Sequence, residues 1–231
     1  MIVAVSGGPD SMALLHYLWK ARHQFKWEVI AAHAHHQLRG EEADRDQRVV
    51  RAFCQQKGIR FVSTRLNVKD YAAEQKLSIQ TAARELRYFW LEQLTEEYER
   101  CCVATGHHGD DQVETMLMKQ IRGQVPLHSL GIRAVRPFGT GRLVRPFLVV
   151  TKEQIEHYCK EYGIEAVIDS SNLSERYTRN RFRQQIIPFI KEENRQAHVH
   201  FQRQNEWLEE DHLFLMEMAE QILPTIIKEK K

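Results

Sequence analysis

From Ile2 to Ile121 the chain alternates short apolar runs with longer stretches carrying apolar residues at helical spacing. Ile2 to Val5 is strand-like, and Met12, Leu15, Leu18 and Trp19 then recur along Met12 to Ala21. Val29 to Ala34 is a second run, followed by a charged helical stretch from Glu41 to Lys57 that stops at Gly58. Arg60 to Thr64 leads into a long helix with Ile79, Ala82, Leu86 and Trp90 on one face. Cys101 to Thr105 is a fourth run, broken by Gly106; the helix from about Asp110 turns Val113, Met116, Leu117 and Ile121 inward. Short apolar runs bounded by breakers read as strands, and 3.6-residue periods as helices. Parallel strands need long crossovers, which helices supply, so the alternation predicts an α/β fold with a mainly parallel sheet and helices on both faces. Ligands in such sheets bind beyond the carboxyl ends of the strands, which singles out the loops after the first and fourth.

Beyond Arg122 the pattern shifts to Gly, Pro and short β-like stretches. Gly139-Thr140-Gly141, between Arg136-Pro137-Phe138 and Arg145-Pro146-Phe147, reads as a hairpin turn. Thr151 to Tyr162 is a helix with Thr151 as N-cap and Gly163 as its stop, and Ile164 to Ile168 is one more candidate strand. From Phe201 to Leu223 an acidic, amphipathic helix spaces Leu208, Leu215, Met218 and Ile222 along one side. With 42% hydrophobic residues in 231, the chain has enough apolar surface for one substantial core and a smaller second unit. No apolar run approaches the roughly 20 residues of a membrane span, and no basic segment precedes the first strand as in a signal peptide. Four cysteines without framework spacing (Cys54, Cys101, Cys102, Cys159) fit a reducing cytoplasm. Twelve histidines include the pairs His33/His35 and His107/His108, but neither pair has zinc spacing.

The loop after the first strand is Ser6-Gly7-Gly8-Pro9-Asp10-Ser11. Two glycines allow close backbone approach, a helix N-terminus favours an anion, and Asp10 is suited to a magnesium ion that neutralises phosphate. The plain alternative is a tight turn capped by Asp10 or Ser11. No Gly-Lys-Ser/Thr follows, so it is not a Walker loop. After the fourth strand comes Gly106-His107-His108-Gly109-Asp110-Asp111-Gln112-Val113-Glu114-Thr115. Asp110 and Glu114, four apart, share a helical face and could bind an amine, with Asp111 turned toward nucleotide and metal. Here the plain alternative is a capping box, Asp111 with Glu114 three residues on.

The hexapeptide loop resembles the pyrophosphate loop of the N-type ATP pyrophosphatases, which split ATP into AMP and pyrophosphate. Further segments sharpen the resemblance to the tRNA(Ile)-lysidine synthetase family. They are His33-Ala34-His35-His36-Gln37-Leu38-Arg39 with Glu41 and Glu42, the Gly-His-His-x-Asp-Asp-Gln-x-Glu-Thr box, and Arg122-Gly123. The Arg145-Pro146 strand, Asp169-Ser170-Ser171-Asn172 and Tyr177-Thr178-Arg179-Asn180-Arg181 complete the set, in family order from residue 2 to about 190. Two departures stand out: His35 replaces the small acid or amide usual there, and the family usually carries an N-terminal helix and C-terminal tRNA-binding domains. A piece of a longer protein is therefore expected.

The resemblance implies a Rossmann-like, adenine nucleotide alpha hydrolase-like catalytic domain over 1–190 and a helical extension over 191–231 leading toward tRNA-binding domains. It implies ATP and Mg2+ as cofactors, with free L-lysine and a tRNA(Ile) bearing a CAU anticodon as partners. No membrane is involved, location is cytoplasmic, and a homodimer is left open. The implied reaction adenylates O2 of the wobble cytidine, after which the lysine ε-amine attacks C2 and expels AMP, leaving lysidine. Catalytic roles fall to Asp10, Asp110, Asp111, Glu114 and Arg179. Nucleotide contacts fall to Ser6, Gly7, Gly8, Pro9, Asp10, Ser11, His33, Arg87, His107 and Arg122, and magnesium to Asp10 and Asp111.

Positive charge is concentrated in two stretches. Lys119, Arg122, Arg133, Arg136, Arg142 and Arg145 occur without an acid between them, and Arg176, Arg179, Arg181, Arg183, Lys191, Arg195 and Arg203 face only Glu175, Glu192 and Glu193. That pattern is an expected footprint for RNA phosphates, with Arg122, Arg179 and Arg183 the strongest candidates and Arg84 and Arg87 also within range. Three other functions remain in view: a tRNA thiolation enzyme, which usually needs better-placed cysteines, an amidating synthetase, which would need a glutaminase, and a non-catalytic nucleotide-binding module.

Overall fold

Ile2 and Val3 are adjacent in one strand, point to opposite faces of its sheet, and are both fully buried. The sheet must therefore be covered on both sides. A computed structural model describes residues 1–98, 101–123, 131–167 and 178–226. Its elements run β1 (Ile2–Ala4), α1 (Pro9–Phe25), β2 (Ile30–His35), α2 (Glu41–Lys57), β3 (Arg60–Arg65), α3 (Val68–Glu74), α4 (Ile79–Glu97) and β4 (Cys102–Ala104). There follow α5 (Gly109–Ile121), β5 (Val135–Phe138), β6 (Gly141–Val144), α6 (Lys152–Glu161), α7 (Thr178–Arg181), a π-helical turn (Phe182–Ile186), α8 (Ile187–Glu193) and α9 (Ala197–Ile226). The chain forms two compact units, Met1–His108 with Ala134–Asn172, and Gly109–Arg133 with Leu173–Lys231.

The first unit holds the whole sheet, in the order β3-β2-β1-β4-β6-β5, parallel except for β5 against β6. Val3, Val5 and Ala31 pack with α1, α2 and α6 through Met12, Leu15, Val50, Cys54, Ile155 and Cys159. Ile2, Ile30, Ala32 and Val103 pack on the other face with Leu91 and Leu94 of α4. β1 lies between β2 and β4, so the crossovers diverge there and open a crevice at the carboxyl ends of β1 and β4. The hairpin pairs Phe138 with Gly141 across Gly139-Thr140; β6 ends at Val144, but the Arg145 N–H still bonds to Ala134 O at 2.9 Å and Phe147 makes an isolated parallel bridge to His108. The short α3 was not legible as a helix. Residues 164–167 form no strand, and Ile168 lies outside the described residues.

The second unit is helical. Of the α5 residues expected to face inward, Val113 and Met116 are buried, but the outermost needs correction. Ile121 is 74% exposed, and Leu215, Met218 and Ile222 of α9 are exposed too. The buried stripe of α9 is polar, with His198, Gln202 and Asn205 at helical spacing. Gln202 Oε1 accepts from the fully buried Gln112 of α5 at 3.0 Å, and Asn205 Oδ1 accepts from the Gly131 N–H at 2.7 Å. Gln112 Oε1 in turn accepts from the Ile132 N–H at 2.6 Å. Apolar periodicity cannot reveal a seam made of amides.

Candidate active site

The loop after β1 leaves its helix N-terminus uncapped by side chains. α1 opens on Pro9, which fixes φ at no hydrogen-bonding cost, and its N-cap is Gly8 with no side-chain bond. A turn capped by Asp10 or Ser11 is therefore not what forms. Ser11 Oγ donates to Gly8 O at 3.0 Å and accepts from the Ser6 N–H at 3.1 Å, with Ser6 Oγ 3.2 Å away. Gly7 adopts φ +99°, and a Cβ there would stand 3.3 Å from Cβ of Asp46. A Cβ on Gly106, after β4, would stand 3.0 Å from the carbonyl carbon and oxygen of Asp10. The two loops thus touch through glycines. Amide hydrogens and the helix dipole favour an anion here. Lys152 adds a cation, its Nζ 2.5 Å from Asp10 Oδ1. A capping box of Thr151 and Gln154 fixes the start of α6 and so places Lys152. Sequence reading missed Lys152, which lies far from Asp10 along the chain and gives no local signal.

In the second unit α5 begins at Gly109, so Asp111 lies inside its first turn and the capping-box alternative fails. Glu114 is 0% exposed and Asp110 4%, and carboxylates so buried need cations. The segment from Thr178 to Glu193 supplies three. Arg179 Nε donates to Glu114 Oε2 at 2.8 Å and Arg183 Nε to Oε1 at 2.9 Å. Asp111 Oδ1 accepts from Nη2 of both arginines, at 3.3 and 3.0 Å. Lys191 Nζ lies 2.6 Å from Asp110 Oδ2. Arg183 lies within the π-helical turn, in which the Ile187 N–H bonds to Phe182 O. Pro188 follows at the start of α8 and lacks the N–H that an α-helix would offer Gln184 O, which accounts for the wide turn.

A profile of the PP-loop domain matches residues 1–190. The chain belongs to the PP-loop family. It is 45% identical over 227 residues to the tRNA(Ile)-lysidine synthase of Bacillus subtilis (strain 168), covering 98% of this chain and 48% of that protein. It is 42% identical over 230 residues to the tRNA(Ile)-lysidine synthase of Geobacillus kaustophilus, covering 100% of this chain and 50% of that one. This PP-loop chain thus spans about half the length of the curated relatives it matches. The U34-tRNA thiolase NcsA from Methanococcus maripaludis, with a [4Fe-4S] cluster, has the same fold at a TM-score of 0.74 and 18% identity, covering 90% of this chain and 71% of that one. No described helix of the PP-loop chain is long and apolar enough to cross a membrane.

The remaining expected site residues divide by environment. His33 is buried, with Nδ1 2.8 Å from Val5 O at the root of the phosphate loop, and burial holds its imidazole below the ordinary range. His107 Nδ1 lies 2.9 Å from Thr105 Oγ1. Arg87, half-buried on α4, sits 5.6 Å from the Tyr88 ring centroid. Arg84 and Arg136 lie over the same ring at 4.8 and 5.7 Å. Burial alone would raise the Tyr88 hydroxyl, yet Arg84, Arg145 and Arg87 outweigh it and hold it below its usual value. Arg122 is exposed, and twelve residues of helix, about 18 Å, separate it from Asp110, so it does not join the acid box. The basic footprint shrinks accordingly. Arg145 is 7% exposed beside Tyr88, Arg133 lies 3.7 Å from Glu209, and Arg179, Arg183 and Lys191 hold carboxylates. Asp169 to Asn172, Arg176 and Tyr177 lie outside the described residues.

Burial raises the thiols of Cys101 and Cys159 and lifts that of Cys54 to about 11. Sulfur transfer needs lowered thiols, so these cysteines are badly set for it.

His36, which sequence reading did not place in the site, faces α4, beside the Ala83 backbone and Arg87. Burial first, then the Arg87 charge, push its pKa down to about 4. The unfolded chain would protonate His36 near pH 6.5 while the folded chain stays neutral, so stability should fall as pH drops from about 6.5 toward 4. Between pH 7 and pH 5 this group alone should remove about 2 kcal/mol. Urea midpoints of wild type and His36→Gln at both pH values test it. The variant should lose less on acidification, and parallel losses would show that His36 is not the titrating group.

Proposed function

We propose that this chain carries out ATP-dependent ligation of lysine to C2 of the wobble cytidine of a tRNA(Ile) with a CAU anticodon. The observation that carries this reading is the end-to-end 42–45% identity, spanning both loops, to proteins named tRNA(Ile)-lysidine synthase. In the first step cytidine O2 attacks the α-phosphorus of ATP and pyrophosphate leaves. In the second the lysine amine attacks C2, loses a proton, and AMP departs with the former carbonyl oxygen. The detour is chemically required, since a ring carbonyl oxygen is a poor leaving group and AMP a good one.

Roles follow the local chemistry. The Ser6 to Ser11 loop and the α1 N-terminus would hold the β- and γ-phosphates, with Lys152 adding a charge that a Walker lysine supplies elsewhere. Magnesium fits Asp10, a 31% exposed carboxylate beside open solvent, because this ion needs one or two carboxylates plus phosphates and water. When bound it would neutralise phosphate oxygens. Asp111 fits it less well, since its Oδ1 already accepts from two guanidiniums. His33, His36, Arg87 and His107 would line the nucleotide side. Asp110 would grip the ammonium of lysine, while Glu114 and Asp111 orient Arg179 and Arg183 toward phosphate. The exposed arginines of both stretches, Arg122 and Arg142 among them, would meet tRNA phosphates.

Incubation with ATP, magnesium, labelled lysine and the tRNA, followed by mass analysis of the wobble nucleoside, tests the reading. A cytidine of unchanged mass would overturn it. Asp110→Asn removes a charged hydrogen bond, so the half-saturating lysine concentration should rise roughly 10- to 100-fold and that for ATP far less. Loss of ATP affinity at unchanged lysine saturation would instead make Asp110 a nucleotide ligand.

A further inference from the structure

We infer that Lys191 is a built-in stand-in for the substrate side chain, its ammonium seated on Asp110 until free lysine displaces it. The inference rests on the reading of Asp110 as the lysine-binding carboxylate. The three carboxylates of the acid box are not held alike. Glu114 is closed on both oxygens by the Nε groups of two arginines, whose planar forks are rigid and directional. Asp111 is shared between the same two arginines. Asp110 is held differently: the cation 2.6 Å from its Oδ2 is a primary ammonium on a four-carbon stem, the chemical group that free lysine would bring.

That difference decides which carboxylate can change partners. Exposing Glu114 would strip a fully buried anion of two guanidinium partners, one of them bidentate. Replacing one ammonium by another at Asp110 keeps the buried charge neutralised throughout and exchanges like for like. Lys191 can also withdraw. Its side chain is 21% exposed while that of Asp110 is 5%, and the lysine reaches inward from α8, a helix of seven residues. Arg183 sits in the π-helical turn and Lys191 beyond Pro188 on α8, so the lysine side chain can swing outward on its own four-carbon stem while Arg179 and Arg183 stay on Glu114. A seat that already accepts this group is also selective. Neutral side chains bring no charge to Asp110 and are disfavoured.

A tethered ammonium acts as an intramolecular competitor at high effective concentration. Lys191→Met should therefore lower the half-saturating lysine concentration, by about tenfold, equivalent to ~1.4 kcal/mol. Lys191→Arg, whose fork grips a carboxylate more firmly, should raise it. A second readout is independent of turnover. Lys191→Met leaves Asp110 short of a cation, so millimolar lysine or n-butylamine should raise its melting temperature more than that of the wild type, and n-butanol should not. An unchanged lysine requirement in Lys191→Met with a lower, amine-insensitive melting temperature would make Lys191 a structural partner and overturn the inference. A higher lysine requirement in Lys191→Met would make it a substrate contact and overturn it equally. Asp110→Asn is measured in parallel. If that variant also leaves lysine saturation unchanged, the reading of Asp110 fails first; if it responds and Lys191→Met does not, only the stand-in fails.

Discussion

Asp10→Ala should abolish release of AMP and pyrophosphate from ATP while leaving the fold intact. Asp10 meets Lys152 at the mouth of the phosphate loop, and both side chains are about 30% exposed. Ion pairs of that exposure contribute at most ~1 kcal/mol, so melting should shift little. The chemical loss should be far larger. Asp10 is the carboxylate best placed to carry magnesium onto the phosphates, and removing one preorganised charge-stabilising group costs on the order of 10² to 10³ in rate. Asp10→Asn separates the roles, because an amide keeps the volume and loses the charge that attracts a divalent ion. It should be nearly as inactive as alanine. Product analysis of the wild type completes the test. ADP and orthophosphate in place of AMP and pyrophosphate would falsify the assignment of this loop.

Replacing Arg179 and Arg183 together should destabilise the helical unit far more than the two single changes added. Either arginine alone still gives Glu114 a guanidinium partner, two hydrogen bonds from Arg183 or one from Arg179, so each single alanine variant should lose only about 1 kcal/mol. With both gone, a carboxylate of 0% exposure is left without these partners, and breaking a buried pair in this way costs about 3–5 kcal/mol. For a domain of this size that is a fall of roughly 10 °C in melting temperature. Glu114→Ala should cost less than the double variant, because the guanidiniums are 43% and 37% exposed and can return to water. Additive single and double values in a mutant cycle would show that the two arginines do not share Glu114. The same variants bear on RNA. If these arginines serve chiefly to hold the acid box, each single alanine variant will leave the salt dependence of tRNA binding nearly unchanged.

What the chain disclosed in advance follows from the kind of force involved. Apolar alternation is local, so β1 to β4, α1, α2 and the site loops after β1 and β4 could all be read from residue order. The glycines of the Ser6 to Ser11 loop and Gly106 were legible because tight backbone passage excludes side chains. Lys152 beside Asp10 and Lys191 beside Asp110 were not, since a surface lysine has the same sequence signature whether or not a distant carboxylate awaits it. Arg179 and Arg183 were legible as a pair on one face, but not as partners of Glu114. Charge density suggested RNA, and the fold spends several of those charges internally. The buried side of α9 was not legible, because it carries His198, Gln202 and Asn205 while Leu215, Met218 and Ile222 meet solvent.

That amide seam sets how the helix pair responds to temperature. Parting α9 from α5 would uncover Gln112, Gln202 and Asn205, and exposure of polar surface lowers heat capacity whereas exposure of methylenes raises it. An apolar joint weakens on cooling as its entropic drive fades. A joint of paired amides has no such drive to lose, so the grip of α9 on the helix that carries the acid box should hold nearly constant from cold to growth temperature.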